Sequence, residues 1–191
     1  MTTLSSGSKV ISGWPEKSRG AAQLVIDKYG EPHEATGSYL VWHHVGPWKR
    51  IVASRTYWEH KFPAPHYDSV ESVLDYRVPT DAFTPLAEFD GSVIAERTAG
   101  EVSARCHDEE AKDLALNRMH DIVSGARSVE DARGYYAKEF LDYRRGLPTP
   151  YMEKLRFTAN GENAADPDER VISDEELEKA KAEGKTADRA A

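Results

Sequence analysis

The chain has 191 residues, of which 39% are hydrophobic and 30% are charged, and its formal net charge is −8. This length allows one domain with a proper core and is too short for two domains of ordinary size. The negative charge argues against a general affinity for nucleic acid or for an anionic membrane surface. The single cysteine allows no intrachain disulfide and no cysteine-pair metal site. Because the chain has no apolar signal region and no stretch long enough to span a bilayer, we expect a cytoplasmic protein without a membrane partner.

In chain order, a helix is predicted to begin at Pro15 and to end at Gly30. Two extended runs follow, at residues 38–45 and 49–57. Residues 65–79 are ambiguous, since their apolar positions fit a helix at first and then alternate as in a strand. We expect a turn of helix there that passes into a strand.

The second half of the chain gives clearer patterns, beginning with a β-hairpin at residues 92–106. A turn at Ala99-Gly100 places its apolar residues on one face and its polar residues on the other. Asp108 and Ser128 are typical N-caps of two further helices. This order predicts an α+β fold, in which an antiparallel sheet of about five strands, two hairpins plus one strand, has helices packed on one face.

The C-terminal residues 158–191 have the composition of a disordered acidic tail. They contain ten acidic and five basic residues and no aromatic residue, so they cannot bury enough apolar surface to offset the entropy of ordering. Ser173 and Glu176 predict a capping box for one short helix within the tail. The domain prediction is therefore a single α+β domain at residues 1–157, followed by this tail.

Common catalytic and nucleotide-binding motifs are absent from the sequence. It contains no GxGxxG, GxxxxGK[ST], GxSxG or HExxH pattern and no EF-hand loop. The sequence therefore identifies no cofactor and no catalytic residue.

One segment, residues 38–66, combines aromatic side chains with positive charge. It has four lysines and arginines against a single glutamate, a local charge of +3 in an acidic chain. Trp48, Lys49, Arg50 and Trp58 could bind a small anionic ligand or an acidic segment of a protein partner by charge and stacking. Trp48 favours this hypothesis because a tryptophan in the turn after Gly46-Pro47 has little reason to be buried. The alternative is ordinary packing of aromatic residues across a hairpin.

A second hypothesis uses the four histidines of the same segment as metal ligands. His43 and His44 are neighbours on a strand and face opposite ways, so they cannot chelate one ion together. One of them, His43 in the simplest version, could join His60 and His66 in a metal site of a metal-dependent hydrolase. Structural histidines held by hydrogen bonds are the alternative.

Two further features have plain structural interpretations. Cys106 and His107 are adjacent, and strand alternation predicts that they face apart, which leaves Cys106 as a small buried residue. The segment at residues 147–157 is predicted to be an extended arm that packs on the domain or on a second subunit. In the latter case the protein would be a structural subunit of a homo-oligomer.

Overall fold

Six strands form one antiparallel sheet in the computed structural model, which describes residues 6–159 and 168–184. The strand order is β1-β2-β3-β4-β6-β5, so the sheet is a meander except at β5. Short connections join the paired strands that are consecutive in the chain, whereas residues 76–92 separate β4 from β5, which do not pair. The strands are β1 (Glu34–Ala35), β2 (Tyr39–Val45), β3 (Trp48–His60), β4 (His66–Asp75), β5 (Val93–Glu96) and β6 (Glu101–Cys106).

Six α-helices complete the described residues, and the core lies between the sheet and the helices that pack on it. Helix α2 packs on β3 and β4, whereas α4 packs on β6 and carries α5 on its other side. None of the described helices is both long and apolar enough to cross a membrane. The helices are α1 (Gly7–Ile11), α2 (Glu16–Tyr29), α3 (Phe83–Phe89), α4 (Glu109–Val123), α5 (Val129–Arg144) and α6 (Asp174–Glu183).

The predicted α+β fold is confirmed, with six strands where about five were expected. The prediction of a helical turn within residues 65–79 is wrong, because β4 is a strand from His66 onwards. This strand is paired on one side with β3 and on the other with β6, and Val73 and Leu74, which face opposite ways, are both buried. Val70, Val73 and Leu74 have the spacing of three and four that also fits one face of a helix, which explains the wrong prediction.

The turn between β2 and β3 differs from the expected one. Gly46 has a φ of 54°, which favours glycine, and a Cβ atom there would lie 2.8 Å from the hydroxyl oxygen of Tyr29. Gly46 and Pro47 are thus the two turn residues, and Trp48 is already the first residue of β3. Trp48 is 1% exposed, so the expectation of an exposed tryptophan in this turn is wrong.

The arm at residues 147–157 packs back on its own domain. The side-chain amide of Asn117 donates to the carbonyl oxygens of Tyr151 and Lys154, and its oxygen accepts from the backbone N–H of Arg156. The ring of Phe157 stacks on His120 with ring centres 4.6 Å apart. The arm is therefore held to α4, as one of the two predicted alternatives required.

In the predicted tail, α6 begins with the expected capping box between Ser173 and Glu176. All of its residues are exposed. The other residues of the tail, 160–167 and 185–191, lie outside the described residues. Disorder of the tail and the domain boundary at residue 157 therefore stay predictions.

Candidate metal centre

The two histidines of the candidate site close the hairpin between β3 and β4. His60 is the last residue of β3 and His66 the first of β4, and the strand register pairs them directly. Their ring centres are 4.9 Å apart. The loop at residues 61–65 thus brings together the two histidines that the metal hypothesis joined.

Asp68 adds a carboxylate to this pair. It lies two residues after His66 on β4 and is 2% exposed. Its Oδ1 atom is 3.1 Å from Nε2 of His66, and its Oδ2 atom is 3.5 Å from Nδ1 of His60. One donor atom from each of the three residues lies within 4.8 Å of the others. Asp68 was not among the predicted ligands, although residues two apart on a strand, such as His66 and Asp68, share a face.

The orientation of the His66 ring is set by its loop. Its Nδ1 atom is 2.9 Å from the carbonyl oxygen of Ala64, which can only accept a hydrogen bond. Nδ1 therefore carries a hydrogen, and the lone pair of a neutral ring lies on Nε2, the atom that faces Asp68. Burial lowers the pKa of His66, but the Asp68 carboxylate, the Cys106 thiol and the Ala64 carbonyl together raise it to about 11. Without another cation, a proton occupies this position.

Oδ1 of Asp68 has no hydrogen-bond partner within the described part of the chain, although it is buried. Its contact with His66 has the distance of an ion pair but not the alignment of a hydrogen bond. Oδ2, in contrast, accepts a short hydrogen bond from the Ser92 hydroxyl. A buried carboxylate oxygen without a donor is costly, so this atom marks a place where a cation would be stabilised.

A second carboxylate, Asp90, holds the other side of the His60 ring. It follows α3 and is 4% exposed, and its Oδ1 atom is 3.4 Å from Nε2 of His60. The backbone N–H of Ser92 donates to the same oxygen at 2.8 Å. Burial raises the pKa of Asp90. With Nδ1 of His60 turned towards Asp68, the Nε2 side faces Asp90, as a metal-ligating histidine faces its outer carboxylate.

The donor set suits a divalent transition metal. Two imidazole nitrogens and one carboxylate oxygen are ligands of catalytic zinc and of non-haem iron. Zinc binds such atoms at about 2.0–2.1 Å, so ligands on a tetrahedral ion lie roughly 3.3 Å apart. The contacts of 3.1 and 3.5 Å are made by different oxygen atoms of Asp68, whereas a set with one donor atom from each residue lies within 4.8 Å. The three side chains would therefore draw closer together around an ion.

His66 also lines a cavity of about 300 Å³ beside the site. Cys106 and His107 line the same cavity, and Sγ of Cys106 is 3.6 Å from Nδ1 of His107. The prediction that these two residues face apart is wrong, because β6 ends at Cys106 and strand alternation does not extend to His107. Cys106 is buried, as predicted.

Charged neighbours shift the pKa of both groups in the Cys106–His107 pair. Burial raises the pKa of Cys106, but hydrogen bonds with His107 and His66 lower it more. Hydrogen bonds with Asp108 and Cys106 raise the pKa of His107 to about 10. Asp108 also caps α4, as predicted, by accepting from the backbone N–H of Ala111.

His43 lies apart from these groups. It pairs with Arg50 near the opposite end of β3, and ten residues of strand span roughly 30 Å. Its Nε2 atom is 2.6 Å from Oε1 of Glu34 in β1. The structure therefore brings His60 and His66 together and places His43 near the opposite end of β3.

The aromatic-basic residues of the hairpin do not form one exposed surface. Trp48 is buried, and its Nε1–H donates to Glu109 at 3.2 Å. Lys49 binds Asp75 and Glu101 at 2.6 and 2.9 Å, and both terminal nitrogens of Arg50 bind Glu101. The hydrogen bond from Arg50, together with Lys49 and against burial, lowers the pKa of Glu101 to about 2.

Trp58 lies ten residues further along β3 than Trp48 and is 50% exposed. The guanidinium carbon of Arg105 is 5.5 Å from the centre of a Trp58 ring. Of the four predicted ligand-binding residues, Trp58 is thus the one whose ring is open to solvent.

No protein-family model matches this chain, and neither the curated proteins nor the solved structures contain a match. Its function is therefore inferred from the site itself.

Proposed function

We propose that this protein binds one divalent transition-metal ion, zinc in the first instance, through His60, His66 and Asp68, and that it is a metal-dependent hydrolase. Three protein ligands leave a coordination position for water, as in catalytic zinc sites. A zinc ion held by these residues would lower the pKa of a bound water, which is the chemistry by which zinc supplies a hydroxide nucleophile in hydrolases. The proposal includes a cytoplasmic location, which the single cysteine of the chain favours.

The observation that carries the proposal is the buried Oδ1 atom of Asp68. It accepts no hydrogen bond from a described residue, and its contact with Nε2 of His66 at 3.1 Å has the distance of an ion pair. A structural carboxylate at 2% exposure is normally satisfied by donors. A metal ion between Asp68 and the two rings would take the place of those donors.

The surrounding groups support the same ligand geometry. The Ala64 carbonyl fixes Nδ1–H of His66, and Asp90 faces Nε2 of His60. Ser92 holds the second oxygen of Asp68. Outer partners of this kind orient metal ligands and raise their basicity, and here every proposed ligand has one.

The test is a zinc titration of protein made without a polyhistidine tag and stripped of metal. We expect one tightly bound zinc ion per chain, measured by calorimetry and by elemental analysis after dialysis. His60→Ala and His66→Ala should each weaken binding by at least about 100-fold, since loss of an outer partner alone costs about 10–100-fold.

The matched control is His43→Ala, which removes a histidine of β2 that pairs with Arg50, near the other end of β3. It should bind zinc as the parent does. Absence of stoichiometric zinc, or unchanged affinity in His60→Ala, would contradict the proposal. An equal loss in His43→Ala would mean that binding is not at this site.

A second candidate function, binding of an anionic ligand or an acidic partner, keeps one supporting observation. The half-exposed ring of Trp58 lies beside the guanidinium of Arg105, which is paired with Glu71 at 3.2 Å, so the ring is the open part of this surface. The charges of Lys49 and Arg50 are already neutralised by acids. A Trp58→Ala variant that loses a fluorescence response to anionic ligands would support this function. An unchanged response would contradict it.

A further inference from the structure

The cavity beside His66 is bounded mainly by apolar side chains. It has a volume of about 300 Å³ and lies between the 61–65 loop, the end of β6 and the side of α5. Tyr136, Phe140 and Met152 supply much of its wall. Apolar pockets with a few converging polar groups are the usual form of small-molecule sites.

We propose that this cavity is the substrate pocket of the metal site and that it takes small aromatic carboxylates, with the carboxylate on Arg144. This inference rests on the proposed function, because His66 is both a wall of the cavity and a proposed metal ligand. It adds the chemical class of the substrate.

The size of the cavity sets the size of the ligand. A dry cavity of about 150 Å³ accommodates benzene, so the volume of about 300 Å³ here suits a molecule with roughly twice as many atoms. A single aromatic ring with a short side chain meets this limit. The aromatic side chains of the wall favour a flat ring by edge and face contacts.

The polar groups of the cavity differ in their pairing and in their depth. Two of them, His107 and Asp108, form an ion pair with each other at 3.1 Å. Cys106 is 4% exposed and lies with His66 on the inner wall. Arg144, in contrast, is exposed and lies on the rim next to Tyr143. A ligand with an apolar body and one charged end can place its ring inside and its charge at Arg144.

Arg144 lines the cavity, and its guanidinium forms no ion pair with an acidic side chain of the described residues. Its guanidinium carbon is 5.1 Å from the ring centre of Phe140, another wall residue. No ion pair to a described residue is formed by Arg144, whereas its neighbour Arg145 is paired with Asp142 at 3.3 Å. The planar guanidinium matches a carboxylate in geometry and charge.

The experiment compares 3-phenylpropanoate with 3-phenylpropan-1-ol, which has the same apolar body without the charge. Binding of each is measured by calorimetry on zinc-loaded protein, with the zinc content of every sample determined in parallel. We expect the carboxylate to bind about tenfold more tightly than the alcohol, because it gains a charge-assisted hydrogen bond at a partly exposed site. Arg144→Gln should remove this preference, and Arg145→Gln should keep it.

Ala111→Leu locates the binding, because Ala111 is a buried wall residue and a larger side chain there reduces the cavity. It should weaken both compounds at least fivefold while circular dichroism remains that of the parent. Three results would overturn the inference: equal affinity for the two compounds, binding of neither, or a preference that persists in Arg144→Gln. If zinc is still bound in these samples, the proposed metal site stands. Absence of zinc would overturn the proposed function and the substrate assignment together.

Discussion

Both ends of strand β3 carry polar and aromatic side chains, but the two ends differ in how fully their polar atoms are hydrogen-bonded. At the first end, Trp48, Lys49 and Arg50 contact Glu109 of α4, Asp75 of β4 and Glu101 of β6, so each polar group has a partner. At the other end, His60 lies beside Asp68, whose buried Oδ1 atom accepts no hydrogen bond from a described residue. Both ends are rich in side chains that could bind a ligand, but only the second has a buried group left to be satisfied.

Residue type and a local concentration of polar and aromatic residues therefore do not by themselves indicate a binding site. The cations Lys49 and Arg50 at the first end stabilise the sheet, because Glu101 of β6 neutralises both of them. A polar group that is already paired has little free energy left for a ligand. The buried Oδ1 atom of Asp68, which contacts His66 but accepts no hydrogen bond from a described residue, is therefore the stronger indication of function.

The largest difference is expected between the two tryptophans of β3. Trp48→Ala removes a fully buried ring and its hydrogen bond to Glu109, and it should lower the free energy of unfolding by about 3–5 kcal/mol. Trp58→Ala removes a ring that is half exposed and should cost less than about 1 kcal/mol. Urea unfolding followed by circular dichroism measures both. Similar losses in the two variants would mean that the ends of β3 do not differ in this way.

Two aspartates of β4 sharpen the comparison for metal binding. Asp68→Asn keeps the size of the side chain but removes the anionic ligand, and the zinc dissociation constant should rise at least about 100-fold. Asp75→Asn changes the carboxylate at the opposite end of the same strand, where it binds Lys49. Calorimetry should find its zinc affinity unchanged. A loss in both variants would point to a general effect of negative charge.

Glu101 provides the smallest effect and a pH dependence. Its pKa in the folded protein is about 2, below the ordinary value of 4.5, because Arg50 and then Lys49 stabilise the carboxylate against its burial. The ionised form thus stabilises the fold fully above about pH 4.5, and this contribution is lost as the pH falls towards 2. Glu101→Gln should lower the free energy of unfolding at pH 7 by about 2 kcal/mol and flatten its acid dependence.

The control for this change is Glu59→Gln, at an exposed carboxylate of β3. It should alter the free energy of unfolding at pH 7 by less than about 0.5 kcal/mol. Denaturant titrations at pH 7, 4 and 3 measure the slope with pH for both variants. A parent-like acid dependence in Glu101→Gln would show that the Arg50–Glu101 pair contributes no net stability.

The sequence predicted the local elements of the fold well. In the β5–β6 hairpin, Val93 lies opposite Ala104 and Ala95 opposite Val102, so these apolar residues share a face as predicted. The predicted turn at Ala99-Gly100 is wrong by one residue, because the pairing centres on Thr98-Ala99. Asp108 caps α4 as predicted. These features depend on side-chain period and on hydrogen bonds between residues three apart, which a sequence contains in full.

The site was only half predictable from the sequence. His60 and His66 were found as candidates, because both are histidines in one short segment. Asp68 and Asp90 were missed, since an aspartate in a strand and another after a helix are ordinary features of a surface. Their role depends on burial, and the partner of Asp68, Ser92, lies 24 residues further along the chain.

By itself, then, the sequence determined the helices, the second hairpin and the α+β class, because these follow from interactions between residues that are close along the chain. It is the packing of distant segments that covers β4 on both faces, buries Trp48 and encloses Oδ1 of Asp68 without a hydrogen bond from a described residue. The physical reason is that burial and pairing are set by segments distant in sequence. The pairing of β3 with β4 brings His60 to His66, and the segment after α3 places Asp90 and Ser92 beside them.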